Sequence, residues 1–284
     1  MPGIALLSEI RQMAILEPKR KENLYMKKAE NRKQGLLGRL LNSAFKRTKS
    51  YQELKETQDL LGRLHRSVLY KTFFLDGLEF HLRAPFSDYI ERQVACGQFY
   101  EIEILRELDP IINECKTLVD AGANIGNHSL YWASKHPQLK IFSFEPIKET
   151  YDYLLKNVES NGFSGRIEAI NAGLSEKTCA GAVEKFHPHN AGEHTIMASE
   201  TGDLRLVRLD DVITPDTKVD FIKVDVEGHE YEMLLGARET IKRSKPIIFI
   251  ETFANNRPRV HDLLVTFGLK LQKEFPGSNF LYKF

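Results

Sequence analysis

The chain has 284 residues, 42% of them hydrophobic and 28% charged, with 18 Gly and 11 Pro; this globular composition excludes collagen-like, mucin-like and wholly disordered organisations. Its net charge of +1 conceals a division, because residues 18–50 hold 11 Lys and Arg against 2 Asp and Glu, whereas residues 51–284 hold 28 against 35. Three dispersed cysteines, Cys96, Cys115 and Cys179, exclude a Cys-rich zinc site and a disulfide framework. With no apolar run of about 18 residues and no secretory leader, a cytoplasmic setting without a transmembrane segment is expected.

In chain order, residues 1–50 form a basic arm, partly disordered or helical. GLLGRLLNSAFKR (35–47) is a candidate amphipathic helix for an anionic membrane surface or nucleic acid, against the plainer reading of a solvated tail. Residues 51–112 form a helical and β-hairpin extension: a helix to about Arg66, then strands Val68–Phe74 and Leu78–Leu82 about the turn Asp76-Gly77. A helix capped by Ser87-Asp88 runs to about Val94, and another spans Tyr100–Leu108, stopped by Pro110.

Residues 113–284 alternate strands with amphipathic helices. Strands are predicted at 117–120, 140–145, 166–172, 204–209, 220–225 and 246–251. Helices are predicted at 127–136, 148–160, 230–242 and 258–267. A polar, Gly-rich excursion occupies about 175–202, and two strand-like runs around Pro276-Gly277-Ser278 close the chain as an antiparallel edge hairpin. The expected class is α/β, a parallel sheet with helices on both faces. Trp132 falls on the inner face of its helix.

In such sheets ligands bind beyond the carboxyl ends of the strands. The first strand ends in DAGANIG (120–126), where Gly122 and Gly126 allow close approach to a helix N-terminus. The third glycine of the dinucleotide fingerprint is missing. Asp120 would repel a pyrophosphate and receive an ammonium. Glu145, ending the second strand in FEP (144–146), is placed to accept the hydroxyls of a ribose.

Together, DAGANIGNHSL (120–130), FSFEP (142–146) and KVDVEGHEYEMLLG (223–236) resemble the successive signatures of the FkbM family of class I S-adenosylmethionine-dependent methyltransferases. LKNVESNG (155–162), INAGLS (170–175), RLDDVI (208–213) and IIFIET (247–252) occur in the same order, and the resemblance spans about Asp88 to Thr252. It implies a Rossmann-like fold with a seven-stranded, mostly parallel sheet and a reversed C-terminal hairpin. It also implies S-adenosyl-L-methionine as cofactor, its methionine portion at Asp120, Gly122, Asn124 and Gly126, its ribose at Glu145 and its adenine beside Asn171 and Ala172. The activity implied is O-methylation of a hydroxyl on a sugar, glycan or natural product.

Asp225, Glu227 and His229 lie in one loop after the fourth strand, where polar groups align an acceptor and remove its proton; His229 has a suitable ordinary pKa near ~6.5. The plainer alternative makes Glu227 and Glu230 stabilisers of the next helix N-terminus. Asp225 and Glu251 end neighbouring strands and are candidate ligands for Mg2+. His128 adjoins the glycine loop, and packing or a bond near the cofactor carboxylate is favoured over catalysis there. His187, His189 and His194 with Glu193 form an HxH pattern suggestive of zinc, against the reading of a loop that covers the site. A non-catalytic binding protein, and a nucleic-acid or protein methyltransferase docking through the basic arm, are the alternatives.

Overall fold

The computed structural model describes residues 68–85, 98–185, 195–199 and 201–284. The expected basic arm, the helix up to Arg66, the helix from Ser87 to Val94 and the histidines at 187, 189 and 194 lie outside the described residues.

Strands β1 (Val68–Leu75) and β2 (Leu78–Pro85) form an antiparallel hairpin. Its two turn residues, Asp76 and Gly77, both have positive φ, 50° and 81°, the backbone that matches strand twist across a two-residue turn. Alternation along β2 turns Phe80, Leu82 and Ala84 into the core and leaves His81 and Arg83 half-buried. Phe80 and Phe73 meet Phe99 edge to face, at 4.9 and 5.3 Å between ring centroids.

Helix α1 (Ile102–Ile112) runs through Pro110 instead of stopping at Leu108. Proline forfeits one backbone bond, but continuing the helix buries Ile112 on the stripe of Ile104, Leu105 and Leu108, and Asn113 N–H still reaches Asp109 O at 2.9 Å.

The main sheet joins β3 (Thr117–Ala121), β4 (Lys140–Phe144), β5 (Ile167–Ile170), β10 (Phe221–Val224), β11 (Ile247–Glu251), β12 (Lys270–Phe275) and β13 (Asn279–Lys283) in the order β12-β13-β11-β10-β3-β4-β5. The order reverses between β3 and β10. β13 alone runs against the other six, because it inserts between β11 and the edge strand β12; the expected terminal hairpin is thus half interior.

Helices α2 (Asn127–Lys135) and α3 (Lys148–Ser160) join α1 and the hairpin over one face. There Leu118, Ile141, Phe221 and Phe249 share a core with the fully buried Trp132. The other face carries Val119, Phe142, Ile222 and Ile248, packed with Leu234, Ile241 and Leu264.

The strand predicted at 204–209 does not enter this sheet. It is β9 (Leu204–Val207) of a separate four-stranded sheet with β6 (Gly173–Leu174), β7 (Cys179–Lys185) and β8 (Thr195–Ala198), in the order β6-β9-β7-β8. The polar excursion therefore contributes two strands of its own. A short helix α4 (Leu209–Val212) follows.

The single helix expected at 230–242 is two, α5 (Glu230–Gly236) and α6 (Arg238–Ser244). A Cβ at Gly236 would stand 1.9 Å from Ser175 O, so the break falls where backbone meets backbone. Helix α7 (Arg257–Thr266) carries Pro258 in its first turn, where a missing N–H costs nothing.

Two asparagines explain how β2 is held. Asn157 Oδ1 accepts Arg83 N–H at 2.7 Å, while its Nδ2 donates to Arg83 O at 3.0 Å and Ile125 O at 2.9 Å. One turn on, Asn161 pairs with His81 N–H and O at 2.9 and 2.7 Å. The two amides act as a substitute strand against the outer edge of β2, so that edge does not stay open. Asn157 is fully buried, and Asn157→Ala is predicted to cost about 2 to 4 kcal/mol by orphaning Arg83 and Ile125. Urea unfolding checks this; a loss below about 0.5 kcal/mol would show that the amide does not anchor the strand.

Candidate functional site

At the carboxyl end of the sheet, register sets Lys223, Asp120 and Ser143 side by side on β10, β3 and β4. All three are buried. The Lys223 ammonium lies 3.3 Å from Asp120 Oδ1 and 3.3 Å from Asp225 Oδ2, and donates to Gly122 O at 3.0 Å. Burial alone would lower its pKa, but Asp225 and Asp120 more than offset that and hold it above the usual lysine value.

Asp120 is fully buried and its other oxygen accepts Ser129 Oγ–H at 2.6 Å. Since that hydroxyl proton is committed, Ser143 Oγ donates to Ser129 Oγ at 2.7 Å. Asp120, expected to receive a ligand ammonium, is therefore a fully buried counter-ion of Lys223.

The glycine loop folds directly over this pair. Gly122 has φ +78°, and a Cβ there would overlap Asp225 O at 1.7 Å, so only glycine permits the approach. Asn124 is also left-handed, φ 49°, and its N–H reaches Glu145 Oε2 at 3.0 Å; Glu145 Oε1 accepts Ile147 N–H at 2.9 Å. Burial pushes Glu145 up to about 7, against the pull of those two N–H groups and Lys223. Asn171 Nδ2 donates to Glu145 O and Pro146 O at 2.9 and 3.1 Å, tying β5 to β4, and Ala172 is fully buried. Gly126, φ +95°, opens α2 beside Leu154.

Three consecutive residues then divide the work of α2's first turn. Asn127 clasps Tyr100, accepting its N–H at 2.8 Å and donating to its O at 3.1 Å. His128 Nε2 lies 3.2 Å from Glu101 Oε2, and Ser129 reaches Asp120. Glu101 itself has φ 56°, a strained conformation for a residue with a Cβ, and its Oε1 accepts Asn279 Nδ2–H at 3.2 Å. Burial raises the Glu101 carboxyl, yet His128, Lys223 and Asn279 hold it below the usual glutamate value.

The loop after β10 divides the residues expected to converge. Asp225 joins Lys223, and Glu227 (φ 52°) and Gly228 (φ 99°) make the turn. His229 faces away: its Nε2 meets Ser175 Oγ at 2.9 Å, and burial lowers its pKa. The turn is held by Glu230, which accepts Gly228 N–H at 2.6 Å and an Asn256 amide proton.

Against this geometry, the sequence model of the methyltransferase FkbM domain matches residues 120–274. The chain belongs to the FkbM methyltransferase family. It is 32% identical over 195 residues to methyltransferase sdnD of Sordaria araneosa, covering 55% of this chain and 74% of that protein. It is 28% identical over 161 residues to the hexuronic acid methyltransferase AglP of Haloferax volcanii, covering 56% and 65%. A crystal structure of methyltransferase FkbM from Methylobacillus flagellatus KT aligns with TM-score 0.45 and 21% identity, over 60% of this chain and 43% of that one; the chain thus spans less than half the length of that relative. The sheet described above is the Rossmann-like arrangement that the FkbM resemblance implied.

Nothing described in this FkbM-family site supports the expected Mg2+ at Asp225 and Glu251. The Lys223 ammonium already stands between the Asp120 and Asp225 carboxylates, 3.3 Å from each, and burial together with the charge of Asp225 pushes Glu251 up to about 8. Among the described residues no group of three His, Cys, Asp or Glu side chains is placed to hold a metal ion. No described helix is long and apolar enough to cross a membrane.

Sequence reasoning passed over Lys223, Glu101 and Asn279. Lys223 carried a signal, a lysine within the apolar run FIKVD (221–225) two residues before the strand-terminal acid. Its pairing with Asp120, 103 positions away, did not.

Lys223→Met is predicted to cost about 3 to 5 kcal/mol by stranding Asp120, and Asp120→Asn in the same chain should restore part of that loss. A double-mutant cycle in urea measures it; additive losses would contradict the pairing. A second prediction concerns pH. Because native Glu251 keeps its proton up to about 8 while the unfolded side chain releases it near ~4.3, native stability falls as pH rises between those values. Glu251→Gln removes the titration, so the variant should match wild type at pH ~4 and exceed it by up to about 5 kcal/mol at pH ~9. Parallel stability curves across that range would contradict the assignment.

Proposed function

We propose that this chain is an S-adenosylmethionine-dependent O-methyltransferase acting on a hydroxyl of a sugar, glycan or related natural product. The observation that carries the reading is the left-handed glycine loop, 122–126, folded against buried Glu145 at the point where the strand order reverses, in a chain of the FkbM family. The relationship to a hexuronic acid methyltransferase supports a sugar acceptor.

The residues fit this cofactor. A carboxylate has about four lone-pair positions, and Glu145 spends two on Asn124 and Ile147, leaving one on each oxygen for a ribose diol. The Gly122–Gly126 loop, built without bulky side chains, takes the methionine end, and Asn171 and Ala172 border the adenine. When bound, S-adenosylmethionine supplies an electrophilic methyl on a sulfonium.

This chain's part is to align an acceptor oxygen with that methyl and to accept its proton. Asp225, exposed by 28% at its side chain, and Glu227 after it stand nearest to that task. His229, bonded to Ser175, supports the loop.

Transfer of label from methyl-labelled S-adenosylmethionine to a panel of uronic acids, glycosides and hydroxylated aromatic compounds tests the reading; exclusive labelling of nitrogen, nucleic acid or protein would contradict it. Glu145→Ala is predicted to weaken S-adenosylmethionine binding by about 10- to 100-fold, the loss of a charge-assisted acceptor worth ~1.5 to 3 kcal/mol. Calorimetric titration measures this, and unchanged affinity would remove Glu145 from the site. Asp225→Asn should lower the transfer rate with little change in cofactor affinity.

A further inference from the structure

An ionised carboxylate is the strongest acceptor for the ammonium of a cofactor's amino-acid end, and the carboxylates around Lys223 are unequally free to serve. Asp120 is fully buried, with one oxygen on Ser129 and the other beside Lys223. Asp225 shares the same ammonium. Glu145 is committed to the loop backbone and stands at the second strand, where the ribose is expected.

Glu101 is placed differently. Its side chain keeps 14% of its surface accessible, unlike that of Asp120, and it does not share the Lys223 ammonium as the more exposed Asp225 does. Two elements fix its two oxygens separately, α2 through His128 Nε2 at 3.2 Å and β13 through Asn279 Nδ2 at 3.2 Å. Its backbone is held in the left-handed region at φ 56°, next to a residue that Asn127 clasps at both N–H and C=O. Strain retained at a residue so fully braced is characteristic of groups pre-positioned for a ligand. One of its two braces, His128, lies two residues after Gly126, and Asn127 between them holds the neighbouring Tyr100, so the carboxylate is tied to the end of the glycine loop where the methionine portion is proposed to lie.

We propose that Glu101, oriented by His128 and Asn279, is the carboxylate that receives the ammonium of the cofactor's methionine end, and that Asp120 acts behind it as the counter-ion of Lys223. The proposal rests on the S-adenosylmethionine reading and refines which residue meets the ligand. Glu101 is a binding residue, His128 and Asn279 are positioning residues, and no bond is made or broken in this step.

Titration of the full chain with S-adenosylhomocysteine and with 5′-methylthioadenosine, which lacks the amino-acid end, tests it. Glu101→Gln keeps the shape and the acceptor oxygen but loses the charge. It is expected to weaken S-adenosylhomocysteine at least about tenfold, by loss of a charge-assisted bond, while leaving 5′-methylthioadenosine within about twofold. Equal affinities of wild type and variant for S-adenosylhomocysteine would overturn the proposal. So would equal weakening of both ligands, which would mean that Glu101 shapes the whole site. Asn279→Ser, which releases one oxygen and keeps the charge, should give the same selective pattern at smaller amplitude, about threefold, and settles the matter should Glu101→Gln fold poorly; no selectivity there would also overturn it. Wild-type chain that binds neither ligand would instead sink the cofactor reading itself.

Discussion

At the carboxyl end of the parallel sheet a single ammonium, that of Lys223, is enclosed by Asp120, Asp225 and the carbonyl of Gly122. Each partner belongs to a different part of the site: the end of β3, the loop after β10 and the glycine turn. Burying an unpaired charge costs several kcal/mol, so these segments are obliged to stay together. The close backbone approach follows, and with it the demand for glycine at 122. The same ammonium is the positive centre of the cluster.

From that centre, polar contacts spread outward in an order that the chain encodes compactly. Ser129 and Ser143 complete the shell of Asp120, His128 reaches Glu101, and Asn127 fixes Tyr100. Asn157 and Asn161 repeat the device further along, turning side-chain amides into the pairing partner of β2. The hairpin, the first helix and the glycine loop are thereby one construction, assembled around side chains that satisfy buried backbone groups.

Much of this was legible in advance. The strands ending at Asp120, Glu145, Asp225 and Glu251 announced themselves by apolar runs closed by an acid, and Asp76-Gly77 marked its own turn. What escaped the sequence depends on long-range register or on backbone strain. Nothing local says that Lys223 of β10 will stand beside Asp120 of β3, or that Glu101 will take a left-handed conformation. The strand at 204–207 has the right pattern for the main sheet and joins another one, because period-2 alternation names a strand without naming its neighbours. His229 follows the loop motif at the expected spacing, yet the positive-φ turn at Glu227 and Gly228 carries its imidazole to Ser175. Pro110 failed as a stop because the burial of Ile112 outweighed one lost hydrogen bond.

The acidic character of residues 51–284 acquires a physical meaning from this arrangement. Carboxylates gather where a cationic cofactor would lie, and they are kept in different states by their surroundings: Glu101 ionised, Glu251 pushed up to about 8, Asp120 neutralised by Lys223. The most direct measurement is a crystal structure of the chain grown with S-adenosylhomocysteine. Ligand density along the Gly122–Gly126 loop, with the ribose on Glu145 and the amino group at Glu101, is the predicted result; density at another edge of the sheet, or an amino group placed on an exposed Asp120, would contradict it.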